Sequence, residues 1–242
     1  MEIFAKSDVG KLRDNNEDAY YISKADDNLK LFVLADGMGG YNGGEVASKI
    51  AIASAVRFIE SNYKKIDLNR ENILKLIRDA IEYANLIVLE QSKENINLEG
   101  MGTTIEICIV QNNKLFIGHV GDSRIYRIRG EIIRKLTHDH SYVEKLVEDG
   151  KITEEQAQKH PKKNMLTKAL GGTSFVEPDL TVKGFVTDDI ILICSDGLTN
   201  MLSDNQIYSI VTKDYKNAAK KLIEEANNHG GIDNITVVLL KK

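Results

Sequence analysis

The sequence predicts an α+β fold in which antiparallel β-sheets are covered by α-helices. Three observations support this prediction. Several short runs are apolar throughout, as expected for strands that are packed on both faces. Other strand-like runs follow one another as hairpins. The long helical segments stand in blocks between the strands instead of alternating with them one by one.

The first part of the chain contains two strands and two long helices. The first apolar strand is LFVLA at residues 31–35, and the segment AYYIS before it is expected to be a strand as well. The helices are predicted from about Gly44 to Asn62 and from about Asn69 to Asn95. The second helix carries an apolar stripe at helical spacing, formed by Ile73, Leu74, Ile77, Ala80, Ile81, Ala84 and Val88.

The middle of the chain contains two predicted β-hairpins. Residues 111–113 (QNN) join the strands TTIEICIV and KLFIGHV, and Arg129-Gly130 joins RIYRI and EIIRKL. Strands joined in this way are expected to be adjacent and antiparallel.

Residues 141–170 differ from their surroundings because they are polar, helical and divided into short segments. Capping-box patterns mark helix starts at Ser141 with Glu144 and at Thr153 with Gln156. We interpret this stretch as a flap inserted into a single domain.

The last part of the chain returns to strands and helices. Its predicted elements are a strand at 189–195 (DIILICS), a helix capped by Ser203 and Gln206, a helix ending at Gly230-Gly231, and a strand at 235–240 (ITVVLL).

The composition excludes several classes of protein. The 242 residues are 42% hydrophobic and 28% charged, so one globular domain over residues 1–242 is the simplest interpretation. A net charge of −4 indicates no general attraction to nucleic acid or anionic lipid. Cys108 and Cys194 lie in apolar runs and imply no disulfide framework. Because neither an apolar leader region nor a membrane span is present, we predict a cytoplasmic protein.

The positions of four aspartates are the most informative feature. Asp36, Asp122 and Asp196 each follow an apolar strand-like run, and Asp233 precedes one. In an antiparallel sheet the end of one strand lies beside the start of its neighbour, so all four could gather at one edge. Such a group repels itself unless cations bind to it, and its oxygen ligands suit Mg²⁺ or Mn²⁺. Taken singly, each aspartate is more typical of a turn.

The segment RDNNED at residues 13–18 adds a guanidinium and further carboxylates just before a strand. The planar fork of Arg13 matches two oxygens of a phosphate group. Taken alone, the segment is also consistent with an exposed loop that carries a surface ion pair.

Eight short motifs occur over nearly the whole chain, namely RDNNEDA, DGMGG, GTT, GDSR, LTHDHS, NMLTKALGG, SDGL and DNITVV. In their sequence and order they resemble the metal-dependent type 2C protein phosphatases, the PPM family, and its bacterial single-domain members in particular. The resemblance implies a four-layer sandwich of two antiparallel sheets flanked by α-helices. It also implies a helical flap at about residues 141–180.

The resemblance assigns metal ligands to individual residues. It implies that Asp36, Asp196 and Asp233 bind a first metal, and that Asp36 and the carbonyl of Gly37 bind a second. Glu17 would reach the second metal through water.

Three further roles are implied in the same way. Asp122, together with Asp196, resembles the site for a third and weaker metal. Arg13 matches the phosphate-binding arginine, and Asn234 is expected to orient Asp233.

The chain departs from the family at Tyr41, because many bacterial relatives have a histidine after the DGMGG motif as a candidate proton donor. A phenol donates a proton less readily than an imidazolium. The general acid could therefore be Tyr41 or a metal-bound water, or the reaction could proceed without a protein group as the acid.

His138 and His140 could share a face of an extended segment, and we favour a structural role at the start of the flap over metal ligation. His119 is expected to be a hydrogen-bonded core histidine. His160 and His229 are expected on the surface.

The resulting hypothesis is a protein serine/threonine phosphatase in which Arg13, Asp36 and Asp196 carry catalysis, and a water that bridges two metals attacks phosphorus directly. Phosphorylated proteins would be its substrates and a serine/threonine kinase its functional opponent, with the chain expected to be monomeric. One alternative is a phosphatase dedicated to a single phosphorylated regulator. The other is a catalytically silent protein that binds metal or phosphoproteins.

Overall fold

The computed structural model describes residues 1–24, 26–39 and 43–242. Its strands are β1 (Glu2–Asp8), β2 (Asp18–Ile22), β3 (Lys30–Met38), β4 (Gly102–Thr103), β5 (Ile105–Gln111), β6 (Lys114–Val120), β7 (Arg124–Arg129), β8 (Ile132–Lys135), β9 (Asp179–Gly184), β10 (Ile190–Cys194) and β11 (Ile235–Lys241). Its helices are α1 (Gly43–Tyr63), α2 (Arg70–Glu94), α3 (Tyr142–Glu148), α4 (Glu154–Gln158), α5 (Asp196–Thr199), α6 (Asp204–Lys213) and α7 (Tyr215–Asn228), with a 3₁₀ turn at Ile96–Leu98.

The strands form two antiparallel sheets, as predicted. The first sheet has the order β1-β11-β10-β7-β8, and the second has the order β2-β3-β5-β6-β9 with β4 paired to β3. The pairs β10–β11 and β2–β3 matter most for function, because they bring residues that are far apart in the sequence to the same edge.

The two sheets and the helices make four layers, which confirms the fold that the family resemblance implied. Apolar side chains between the sheets form the central core, for example Phe32, Ile117 and Ile193. The outer face of the second sheet packs against α1 and α2, and the outer face of the first sheet packs against α6 and α7.

Helix ends agree closely with the capping signals. Asn69 caps α2 by accepting a hydrogen bond from the N–H of Asn72. The capping boxes at Thr153 and Ser203 are both complete, whereas Ser141 accepts from the N–H of Glu144 without the reciprocal bond. These local signals therefore determine where the short helices begin.

The structure differs from the sequence prediction in the strands at the sheet edges. Strands β1 and β9 were not predicted, since both lie at an edge and are only partly buried, which leaves no continuous apolar run. In the second hairpin Arg129 pairs with Ile132, so the turn is Gly130-Glu131 and not Arg129-Gly130. Strand β3 also continues past Asp36 to Met38, which places Asp36 inside the strand.

Candidate metal centre

The carboxylates of the candidate centre lie on five different elements. Asp18 and Asp36 are paired residues of β2 and β3. Asp122 lies in the turn between β6 and β7, and Asp196 is the first residue of α5, directly after β10. Asp233 precedes β11, which pairs with β10 in antiparallel register. The fold brings Asp36, Asp122, Asp196 and Asp233 near enough for the charges of the other three to act on Asp36.

The electrostatics show how close these groups are to one another. Burial raises the pKa of Asp36 well above its usual value, and the neighbouring carboxylates of Asp18, Asp196, Asp122 and Asp233 raise it further. Burial and the charges of Asp196 and Asp233 raise the pKa of Asp18 to about 7. Burial and the charge of Asp233 raise the pKa of Asp196 to about 6. Bringing these charges together is therefore unfavourable unless a cation is bound.

Asp18 supplies a second sign that the cluster fits a cation. Its side chain is 7% exposed, and Oδ2 accepts a hydrogen bond from Ser195 Oγ at 2.7 Å. Oδ1 is buried and has no hydrogen-bond partner among the residues that the structure describes. A buried carboxylate oxygen without a partner is costly, and a divalent cation or its bound water would satisfy it.

The carboxylates are not preassembled around one point. No group of three or more His, Cys, Asp and Glu side chains within residues 1–24, 26–39 and 43–242 is arranged so that it could hold a metal ion. Instead, Asp233 accepts a hydrogen bond from Arg13 and Asp196 accepts one from Asn200 Nδ2 at 3.0 Å. In this arrangement the Asp233 carboxylate is paired with a guanidinium and the Asp196 carboxylate with an amide.

Glu17 and Gly37 lie together at the start of α1. The N–H of Gly37 donates to the carbonyl of Glu17 at 3.2 Å. The Glu17 carboxylate lies against Gly44, where an added Cβ would come within 2.6 Å of it, and the N–H of Gly44 donates to it. An added Cβ on Gly37 would come within 2.0 Å of the Gly44 carbonyl, so this close approach requires glycine at both positions.

Arg13 lies at the mouth of the cluster. Its Nη2 donates to Oδ2 of Asp233 at 2.8 Å, and its side chain remains 49% exposed. The guanidinium is thus within reach of the carboxylates and accessible to a phosphate group.

Asn234 holds the segment that carries Arg13 and Glu17. Its Oδ1 accepts from the N–H of Glu17 at 2.8 Å, and its Nδ2 donates to the carbonyls of Val9 and Asn15 at 2.9 Å each. The family resemblance predicts that Asn234 orients Asp233. The Asn234 side chain fixes the loop at residues 9–17, whereas its backbone N–H donates to Oδ1 of Asp233 at 2.9 Å.

The histidines take structural positions. His119 is buried, and its Nδ1 lies 2.6 Å from Oε1 of Glu106, as expected for a hydrogen-bonded core histidine. His138 is exposed whereas His140 is buried, so the two rings do not share one environment.

Both cysteines are buried, and burial raises the pKa of each thiol, so neither is an activated nucleophile.

Sequence reasoning did not identify Asp18 and Asn200 as members of the site. Asp18 stands next to Glu17 in the RDNNED segment, but only the register of β2 on β3 places its side chain beside Asp36. Asn200 follows Asp196 by four residues, which is the spacing that brings side chains together on one helical turn. The contact between Asn200 and Asp196 could therefore have been predicted from this spacing.

Tyr41, the candidate general acid, lies outside the described residues.

Comparisons with known proteins identify a family and similar solved structures. Residues 12–228 match the family model described as protein phosphatase 2C. The chain is 38% identical over 241 residues to a serine/threonine phosphatase, stp, of Listeria monocytogenes, covering 98% of this chain and 94% of that one.

Two solved structures are similar over almost the whole chain. The serine/threonine phosphatase of S. agalactiae superposes with a TM-score of 0.91 at 37% identity, covering 99% of this chain and 98% of that one. The catalytic domain of the serine/threonine phosphatase PstP, solved in complex with two manganese ions, has a TM-score of 0.85 at 36% identity. That match covers 98% of this chain and 96% of the other.

Proposed function

Because the chain belongs to the protein phosphatase 2C family, we propose that its carboxylate cluster hydrolyses phosphoserine and phosphothreonine in proteins with the help of Mn²⁺ or Mg²⁺. The observation that carries this proposal is the convergence of mutually repelling carboxylates beside an accessible arginine. Oxygen-rich, negatively charged clusters of this kind suit hard divalent cations.

The metal ligands are proposed as follows. Asp36, Asp196 and Asp233 would hold one cation, Asp36 and the carbonyl of Gly37 would hold a second, and Glu17 would reach the second through water. When bound, the cations supply a nucleophilic water at neutral pH and neutralise charge on the phosphoryl group. Asp122, with Asp196, holds a third and weaker cation.

The chain's own residues bind and orient the phosphate group. Arg13 exchanges its contact with Asp233 for two phosphate oxygens, since a guanidinium can donate to both at once. Asn234 keeps the backbone on either side of Arg13 in place. Asn200 holds Asp196 in one orientation by its hydrogen bond to Oδ2.

The substrates that fit this site are phosphorylated serine and threonine residues of proteins. We further propose that a serine/threonine kinase is the functional opponent of this enzyme and that the chain acts as a cytoplasmic monomer. The domain is taken to cover residues 1–242, with the flap at about 141–180. Within the described residues, no helix is both long enough and apolar enough to cross a membrane.

The alternative of a catalytically silent regulator has less support. Its one argument is the tyrosine at position 41, whereas the carboxylates, Arg13 and the glycine contacts around Glu17 are all present. A phosphatase dedicated to one phosphorylated regulator would have the same catalytic residues. Only its range of substrates would distinguish it from a phosphatase that acts on many proteins.

The decisive experiment is hydrolysis of p-nitrophenyl phosphate and of a phosphothreonine peptide with Mn²⁺, with Mg²⁺ and with EDTA. We expect turnover of both substrates that disappears in EDTA and in D36N. Asp26, an exposed aspartate outside the cluster, provides a matched control, because D26N should retain full turnover. Tight metal binding without turnover of either substrate would instead favour the silent regulator.

A further inference from the structure

His140 stands where the flap meets the turn that carries Asp122. The N–H of His140 donates to the carbonyl of Gly121 at 2.7 Å, and the N–H of Gly121 donates to Nδ1 of the His140 ring at 3.1 Å. Gly121 is thus held by two reciprocal hydrogen bonds directly before Asp122.

The same histidine also contacts a later part of the flap. Its carbonyl accepts a hydrogen bond from the N–H of Thr167 at 2.8 Å. The next residues continue this pairing, with a bridge between Ser141 and Leu166 and a bond from the N–H of Tyr142 to the carbonyl of Met165. The start of the flap is therefore joined to residues 165–167 at His140.

The hydrogen bonds define the tautomer of the ring. Since the N–H of Gly121 is a donor, Nδ1 must keep its lone pair and the proton of the neutral ring must be on Nε2. Nε2 lies 3.2 Å from Oδ1 of Asp179, which accepts from it, and 3.4 Å from Nζ of Lys168. Burial, followed by the nearby charges of His119 and Lys168, lowers the pKa of His140 to about 4, so the ring is neutral near pH 7.

A second, fully buried pair supports the ring from behind. His119 stacks on His140 with 4.6 Å between ring centroids and 28° between the planes. The His119 ring is held at both nitrogens, by Oε1 of Glu106 at 2.6 Å and by the carbonyl of His138 at 2.7 Å. The His140 ring therefore has a fixed plane as well as a fixed tautomer.

We propose that His140 is a positioning residue of the metal centre, which holds Asp122 at the carboxylate cluster through the Gly121 N–H while it anchors the flap. Arg124, two residues after Asp122, also joins this turn to the start of the flap, because its guanidinium donates to Asp139, but it does not contact the backbone beside Asp122. This inference rests on the proposed function in one respect, namely that Asp122 is a metal ligand.

Two variants of similar size separate positioning from general support. His140→Asn places its Oδ1 near the position of Nδ1 and keeps an acceptor for the Gly121 N–H, but it loses the bond to Asp179. His140→Gln places its amide near the position of Nε2, so it can contact Asp179 but leaves the Gly121 N–H without its acceptor. If His140 served only in packing, H140N and H140Q would have the same effect.

The test is a calorimetric titration of the purified full chain with Mn²⁺, with thermal unfolding measured in parallel. We expect H140Q to weaken the weakest Mn²⁺ binding event about tenfold or more, as is usual when the partner of a metal ligand is lost, and H140N to stay within about threefold of wild type. D122N should weaken the same event, and H140Q added to D122N should cause no further loss, because both changes act through one carboxylate.

Three results would overturn the inference. These are equal losses in H140N and H140Q, a further loss in the double variant, and a D122N variant that binds Mn²⁺ like wild type. Should H140Q fail to fold, H140N decides, since a tenfold loss in a variant that keeps the acceptor contradicts the proposal. Failure of the proposed function looks different, because the wild-type chain would then hydrolyse no phosphorylated substrate with any metal.

Discussion

Asp18 and Asp36 lie directly opposite each other on the adjacent antiparallel strands β2 and β3. Carboxylates in paired positions of neighbouring strands repel each other when both are ionised. Here the pair is also surrounded by Asp122, Asp196 and Asp233, whose charges add to the repulsion at Asp36. The arrangement costs stability in the metal-free protein and favours cation binding.

The first prediction concerns the pH dependence of the metal-free protein. Burial raises the pKa of Asp18 from 3.8 to about 7, so the folded state binds a proton that the unfolded chain has already released. The stabilisation by this group is complete below pH 3.8 and is lost as the pH rises to about 7. Relative to wild type, D18N should therefore gain up to about 1.4 kcal/mol per pH unit over this range. Urea unfolding in EDTA at pH 4 to 7.5 measures the difference.

Saturating Mn²⁺ should reduce this pH-dependent difference in stability, because the bound cation neutralises the charge of the carboxylates. D26N, at an exposed position away from the cluster, is the control and should follow wild type at every pH. If the free energies of unfolding of D18N and wild type in EDTA changed with pH in parallel, the charge of Asp18 would not destabilise the folded protein.

The second prediction concerns the arginine at the mouth of the cluster. Replacing Arg13 with alanine should raise KM for a phosphothreonine peptide about tenfold or more with a smaller change in kcat, since the guanidinium binds the phosphate in the ground state as well as in the transition state. R13K keeps the charge but not the planar fork, so its KM should lie between those of R13A and wild type.

Steady-state kinetics of R13A, R13K and K11A decide this point. Lys11 is an exposed cation two residues away, and its removal tests whether any nearby positive charge has the same effect. A KM for R13A equal to that for K11A would move the phosphate-binding role to another residue.

The third prediction concerns the glycine beside Glu17. A Cβ on Gly44 would come within 2.6 Å of the Glu17 carboxylate, which is the far end of a flexible side chain and can move away. G44A should therefore change the free energy of unfolding by less than about 1 kcal/mol, since alanine also favours the helix. It should nevertheless raise the Mn²⁺ concentration needed for half-maximal activity about tenfold.

Gly184 offers the matched control, because no atom of the described part of the chain lies within 4 Å of a Cβ added there. G184A should leave both the Mn²⁺ requirement and the stability close to wild type. If G44A needs no more Mn²⁺ than G184A, the position of Glu17 does not matter for metal binding.

The fourth prediction concerns the side chain that holds the loop at residues 9–17. Asn234→Ala removes three hydrogen bonds, to the N–H of Glu17 and to the carbonyls of Val9 and Asn15. At about 1 kcal/mol for each bond, we expect the free energy of unfolding to fall by about 2 to 3 kcal/mol. KM for the phosphopeptide should rise as well, because Arg13 lies in the released segment.

Urea unfolding and steady-state kinetics of N234A measure both effects, with N228A at an exposed position of α7 as the reference. Loss of stability without any change in KM would mean that the loop keeps Arg13 in place without Asn234.

The sequence by itself predicted most of the elements and the chemical type of the site. Apolar runs such as ITVVLL identify buried strands, capping boxes at Thr153 and Ser203 identify helix starts, and aspartates beside apolar runs predict a cation-binding edge. These signals are local, because they arise from backbone geometry and from side-chain burial within a few residues.

The tertiary structure alone decided which of these residues meet. The register of β2 on β3 brings Asp18 to Asp36, and the contact between Arg13 and Asp233 joins residues at opposite ends of the chain. The edge strands β1 and β9, the loop contacts of Asn234 and the bonds from Gly121 to His140 likewise depend on pairing between distant segments. Such contacts carry no local pattern in the sequence, because their free energy is gained only when the sheets and helices pack together.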